Sequence, residues 1–225
     1  MGVVMSFVVD QKSNVGQFVS SRNRARQFDF VHTSFIVSEN IAGLEIDHEF
    51  ICTLNAYATR YISQQPGKYR RHYNVTVGNH KPSDWSLVYE EMEGFVNTLH
   101  KSWAKWTPIE ACAYVLWGVN HVHPFCEGNG RTARALSYYV LCKKLGQWLP
   151  GSITVLELLR TQHRHHHCEI LQRMHDTRLT PHMLTNLVEM SDLLEMLLRE
   201  QIRLAQEEIA ELSAAKATNG ANEAP

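Results

Sequence analysis

The chain has no C-x-x-C pair, and its five cysteines (Cys52, Cys112, Cys126, Cys142, Cys168) are scattered and odd in number. That excludes a disulfide framework and fits free thiols in a reducing compartment, so a cytoplasmic location is expected. An excess charge of either sign is also missing: 22 Lys and Arg face 23 Asp and Glu, for a net charge of −1. No electrostatic footprint for nucleic acid appears. No apolar run reaches the roughly 18 residues of a membrane span. Residues Met1 to Val9 are apolar but lack a basic region and a small-residue cleavage site, so no signal peptide is read. The first six residues do fit the short N-myristoylation pattern, which chance often supplies. No internal repeat is evident. What remains, at 225 residues, 44% hydrophobic and 20% charged, is an ordinary globular composition, enough for one large domain or two small ones.

Chemistry is concentrated in one stretch, His123-Pro124-Phe125-Cys126-Glu127-Gly128-Asn129-Gly130-Arg131-Thr132-Ala133-Arg134. It holds a base, a carboxylate, a glycine-bearing turn and two arginines, and an apolar helical pattern follows from Ala135. A polar loop that opens a helix offers unpaired backbone N–H groups and a partial positive charge. Phosphate suits that geometry. Gly128 and Gly130 let the backbone and a ligand approach closely. Arg131 and Arg134, three apart, can face one polyphosphate. Glu127 supplies the hard oxygen that Mg²⁺ prefers beside a nucleotide.

The stretch resembles the Fic-family motif, His-x-Phe-x-Asp/Glu-Gly-Asn-Gly-Arg-x-x-Arg, and meets every specified position. The resemblance implies an all-α Fic fold with a small β-hairpin flap, and transfer of AMP from ATP to a Ser, Thr or Tyr hydroxyl of a target protein. In that reading Gly128, Asn129, Gly130, Arg131 and Arg134 hold the nucleotide. Asn129 meets the α-phosphate, Arg131 the β-phosphate and Arg134 the γ-phosphate. Glu127 holds Mg²⁺, and His123 is the base, with an imidazole pKa of about 6.5 if unperturbed. Fic proteins also often carry an inhibitory helix, Ser/Thr-x-x-x-Glu-Gly/Asn, whose Glu pairs with the second arginine. Glu39-Asn40 matches its end, but Phe35 stands where Ser or Thr belongs.

The flanking chain is read from its periodicity. Residues 10–30 are polar and weakly patterned and read as a loop or irregular arm. The Fic domain is placed at 32–200, after an N-terminal arm at 1–31. Leu44 to Ile62 recurs at helical spacing. Tyr73, Val75 and Val77 alternate, which reads as the flap hairpin of about 67–80, where a protein substrate would dock by strand addition. Residues 84–101 are helical again. Thr107-Pro108-Ile109-Glu110 is a capping box opening an apolar, buried helix that runs into the motif. Thr154 to Glu157 reads as a second box, with a helix to about His175. His163 and His167 stand four apart on it, a ligand-compatible pair without a metal signature, read as helix surface or pocket wall. Thr180-Pro181 starts the last helix. Beyond residue 200 it extends, with Ile209 and Leu212 spaced for a partner such as a second copy (a homodimer), and a disordered tail follows from Ala214. Three rivals remain: removal of AMP, transfer of another nucleotide or phosphate, and a non-enzymatic scaffold.

Overall fold

A computed structural model describes residues 8–41, 46–177 and 187–222. The myristoylation pattern, the Thr180-Pro181 helix start and the last three tail residues lie outside them. The described residues form α1 (Asn14–Asn40), α2 (His48–Thr59), α3 (Val88–Ser102), α4 (Pro108–Val122), α5 (Asn129–Leu145), α6 (Val155–Thr161), α7 (Arg164–Thr177) and α8 (Val188–Asn222). None of these helices is long and apolar enough to cross a membrane.

The antiparallel pair α4–α5 is the centre of the fold, and every residue from Ala111 to Val119 is buried. Thr107 opens α4 with the expected capping box: its hydroxyl accepts from Glu110 N–H at 3.2 Å, and the Glu110 carboxylate accepts from Thr107 N–H at 2.8 Å. Helices α1 and α2 cover one side of α5, α3 covers α4, and α8 packs on α4 and α6. The second expected box is half formed. Thr154 accepts from Glu157 N–H, but the Glu157 carboxylate turns to Arg160 instead. The helix expected there is two, broken at Gln162 and His163.

Three expectations are corrected. Residues 10–30 are not an irregular arm. Ser13 caps a 27-residue helix, accepting from Gly16 N–H at 3.0 Å. Its buried face is Gly16, Asn23, Gln27, Val31, Ser34, Phe35 and Ser38, spaced helically but mostly small or polar. Hydrophobic periodicity cannot report such a face. The amides are satisfied on the neighbouring helix and its end: Asn23 donates to Arg60 O at 2.7 Å and Gln27 to Leu54 O at 2.9 Å.

The flap hairpin is the second correction. Among the described residues there is no strand, only two isolated pairs, Tyr69 with Phe125 and Val77 with His80. The carbonyls a ladder would use are taken by a side chain. Arg70, 1% exposed, donates to Tyr73 O at 3.2 Å and, in a short contact, to Ser83 O. Tyr73 and Val77 are exposed, so the alternation buries no face.

Third, the tail expected to be disordered from Ala214 continues α8 to Asn222.

Candidate active site

The motif loop is built by fastening backbone from four sides. Helix α4 ends at His123, which adopts the left-handed conformation (φ 51°, ψ 57°) and so turns the chain sharply out of the helix. Asn129 reaches back across the loop: its amide accepts from Phe125 N–H at 2.9 Å and donates to Phe125 O at 2.8 Å. Phe125, 1% exposed, anchors the loop in the core as a filler rather than a reactant. From α2, the buried Asn55 donates to Glu127 O at 2.8 Å and to Thr132 Oγ1 at 3.2 Å. From the 69–80 segment, Arg70 N–H bonds Pro124 O at 2.7 Å, and its guanidinium bonds His123 O at 2.9 Å and Val122 O at 3.3 Å.

Gly128 begins α5 at φ 81°, where a Cβ would stand 2.4 Å from Thr59 Cγ2. Both the conformation and the space require glycine. Unlike α1, α2, α4 and α6, helix α5 has no side-chain N-cap. Its first N–H groups and positive dipole end are therefore left to a ligand. They open on a cavity of about 750 Å³ lined by His123, Glu127, Gly128, Asn129, Gly130, Arg131 and Arg134. The structure thus brings together the motif residues named from the sequence.

Two of those roles change. The Asn129 amide is committed to the loop, so what it offers a ligand is backbone. Glu39 is not brought to the cavity. Its carboxylate pairs with Lys143 Nζ at 2.8 Å, and the same ammonium donates to Ser38 O at 2.8 Å. The lining residues of α1 are Ser20, Arg24, Gln27, Phe28 and Val31, well before Glu39.

The cavity is strongly cationic. Arg131 donates to Ala58 O at 2.7 Å, which fixes its stem against α2. Arg134 lies over Gly130, with its Nη1 3.3 Å from where a Cβ would be. Burial, then neighbouring Arg160, lowers the Arg134 pKa to about 10, with Arg131 and Arg24 adding to the repulsion. Three further lining arginines, Arg24, Arg160 and Arg164, come from α1, α6 and α7. Arg24 and Arg160 are not named as lining residues by the sequence, since only tertiary packing carries them there. The lining carboxylates are Glu127 and Glu157, and Glu157 is already paired with Arg160. Such a surplus of desolvated guanidinium groups is relieved by a polyanion.

His123 is largely buried at the rim. Its Nδ1 stands 3.4 Å from Asn120 O. A carbonyl only accepts, so Nδ1 carries the hydrogen and Nε2 is left bare. Burial pushes its pKa down to about 4; the Asn120 carbonyl opposes this, and Arg70 and His80 reinforce it. The ring is thus neutral at physiological pH, below the value of about 6.5 expected of an open imidazole. His167 lines the same cavity, is buried, and among the described residues has no hydrogen-bond partner at Nε2. Of the two expected placements for His163 and His167, helix surface or pocket wall, His167 takes the second, as a lining residue.

The carboxylate of Glu127 is exposed at the cavity mouth, where it accepts from Gln11 Nε2 at 3.0 Å. An exposed carboxylate beside this cationic cavity fits Mg²⁺, which takes one or two carboxylates, substrate oxygens and water.

Comparison with known proteins finds relatives of one kind. The family model described as Fic/DOC family matches residues 45–141. The chain is 28% identical over 131 residues to the Protein adenylyltransferase Fic of Drosophila persimilis, covering 57% of this chain and 25% of that protein. It is 35% identical over 131 residues to the protein of the same name from Drosophila melanogaster, covering 57% and 26%. The chain therefore spans about a quarter of the length of these relatives. Among solved structures, a Fic domain containing signaling protein from Bacteroides thetaiotaomicron superposes with a TM-score of 0.66 at 18% identity, covering 87% of this chain and 76% of that one. Fic-1 from C. elegans gives a TM-score of 0.63 at 18% identity, covering 95% and 57%. Residues 45–141 thus match the Fic/DOC family model, and the motif within them and the helical fold agree with that match.

Proposed function

We propose that the chain is a protein adenylyltransferase, moving AMP from ATP to a Ser, Thr or Tyr hydroxyl of a target protein. The observation that carries this is the cationic cavity at the uncapped start of α5, with a bare imidazole nitrogen of His123 at its rim. In this reading the triphosphate lies on the first N–H groups of α5. Arg131 and Arg134 pair with its outer phosphates, and the arginines of α1, α6 and α7 add to the field. Glu127 would hold Mg²⁺, which supplies charge neutralisation on the phosphates when bound.

The target hydroxyl gives its proton to His123 Nε2 as its oxygen attacks the α-phosphorus. The new O–P bond forms in line with the breaking bond to pyrophosphate, which leaves. The buried guanidinium groups and backbone donors offset the charge that grows during attack, without reorganising. The Drosophila relatives are named for this activity, which supports the donor and the reaction class. A target segment docked on the 69–80 loop would lie beside His123, since Arg70 ties that loop to it. Inhibition or reversal through Glu39 loses support, because Lys143 holds that carboxylate.

The test is to incubate the chain with ATP, Mg²⁺ and a cell lysate, and to map modified peptides by mass spectrometry. AMP adducts on hydroxyl side chains that vanish with His123→Ala are expected. Adducts of equal yield in both would remove His123 from its role.

A further inference from the structure

Away from the cavity, three histidines from three separate elements meet. His80 follows the Val77–His80 turn, His121 lies in the last turn of α4, and His175 lies in the last turn of α7. One ligand nitrogen from each falls within 4.8 Å of the other two, and two of the three residues are buried. The rings are crowded: His80 stacks on His175 with centroids 3.8 Å apart, and His121 lies 4.8 Å from both. His121 Nδ1 stands 2.8 Å from His175 Nδ1. Two imidazole nitrogens at that distance cannot both be bare or both carry hydrogen. Either one proton or one cation lies between them. His80 Nε2 donates to His121 O at 2.8 Å, since a carbonyl only accepts. Metal-binding histidines are commonly fixed in this way, with the second ring N–H held by a carbonyl.

We propose that His80, His121 and His175 form a site for a divalent first-row transition ion, with Zn²⁺ the ion its chemistry favours. Three neutral nitrogens with a fourth position for water is a common zinc donor set. Nitrogens at the usual 2.0–2.1 Å from one ion stand about 2.9 Å apart at a right angle and about 3.3 Å apart at the tetrahedral angle. The His121–His175 pair already has nearly that spacing, and a His80 nitrogen stands within 4.8 Å of both. Imidazole is a poor partner for Mg²⁺, so this site and Glu127 select different ions. The ion would tie the 77–80 turn to the ends of α4 and α7. Since α4 delivers His123 and α7 carries His167, it would brace two walls of the cavity without touching substrate. The inference does not depend on the nucleotide reading, and its test reads metal rather than activity.

The full chain, stripped with a chelator and folded, is dialysed against micromolar Zn²⁺ in excess Mg²⁺, and bound metal is counted. About one equivalent is expected. It should survive in His165→Ala, which removes an exposed ring, and be lost in His80→Ala and His175→Ala. The loss should exceed the roughly 10–100-fold weakening that outer-shell changes bring. Equal zinc in all four proteins, or no retained zinc in the unmutated chain, would overturn the site. Should a variant fail to fold, Co²⁺ loaded into the unmutated chain decides. Intense visible bands of a tetrahedral nitrogen site support the proposal, and the weak bands of the hydrated octahedral ion overturn it.

Discussion

The motif loop and helix α1 both send arginines into one cavity, yet they could hardly differ more in how they do it. The loop, residues 123–134, is specified locally: a left-handed His123, an Asn129 bridge and a Gly128 start fix its shape within a few residues. Helix α1 is specified from a distance. Its inner face is built of Gly16, Asn23, Gln27 and Ser34, and it is held by amide bonds to backbone more than 25 positions away. Arg24, which lines the cavity, sits between the two residues that make those bonds. The chemistry of a site can be local while its electrostatics are global.

Breaking the local side should cost most. His123→Ala is expected to lower transfer by about 10²–10⁴-fold, the usual cost of losing a positioned base, with ATP affinity nearly unchanged in calorimetry. The pH profile sharpens this point. The proton-accepting form is neutral, and the ring's pKa is lowered by burial to about 4. Activity should therefore hold through pH 6 and fall only as pH drops toward that value. An acid limb at the ordinary histidine pKa of about 6.5 would show that the ring is open to water in the working enzyme.

Next comes Arg70, which fastens the motif loop to the 69–80 segment. Arg70→Ala leaves the carbonyls of Tyr73, Ser83, Val122 and His123 without their donor. Each buried group left unpaired costs about 1–3 kcal/mol, so a loss of several kcal/mol is expected in denaturant unfolding, with loss of transfer. Arg70→Lys should not rescue it, because an ammonium lacks the planar fork.

On the distant side, Arg24→Ala should weaken ATP binding by about 10–100-fold, in line with one charge-assisted hydrogen bond of roughly 1.5–3 kcal/mol. An unchanged affinity would make α1 a mere scaffold. The smallest effect is expected at Glu39. With its carboxylate on Lys143, a bridge that is partly exposed, Glu39→Gly should change transfer by less than about twofold and stability by about 0–1 kcal/mol. A large activation would return Glu39 to the cavity in solution and restore the inhibitory reading.

These contrasts also explain what could be read in the sequence. The motif was legible because its functional residues are close in the chain and glycine, asparagine and arginine have few substitutes there. The α4 capping box was legible for the same reason, since Thr107 and Glu110 act on each other. Helix α1 was not, because its buried residues are polar and their partners, Leu54 O and Arg60 O, cannot be seen from residues 14–40. The flap misled because Tyr73, Val75 and Val77 do alternate, while the ladder they imply is displaced by one buried guanidinium, that of Arg70. The three-histidine cluster was invisible for the plainest reason: 41 and 54 residues separate its members from His121.

The central claim is that the cationic cavity orients a triphosphate for attack at its α-phosphorus. Parallel reactions with ATP labelled at the α- or the γ-position, each run with the unmutated chain and with His123→Ala, test it directly. Label entering protein from the α-position alone, and only with the unmutated chain, is the expected result. Label entering from the γ-position, or α-label of equal yield with His123→Ala, would contradict it.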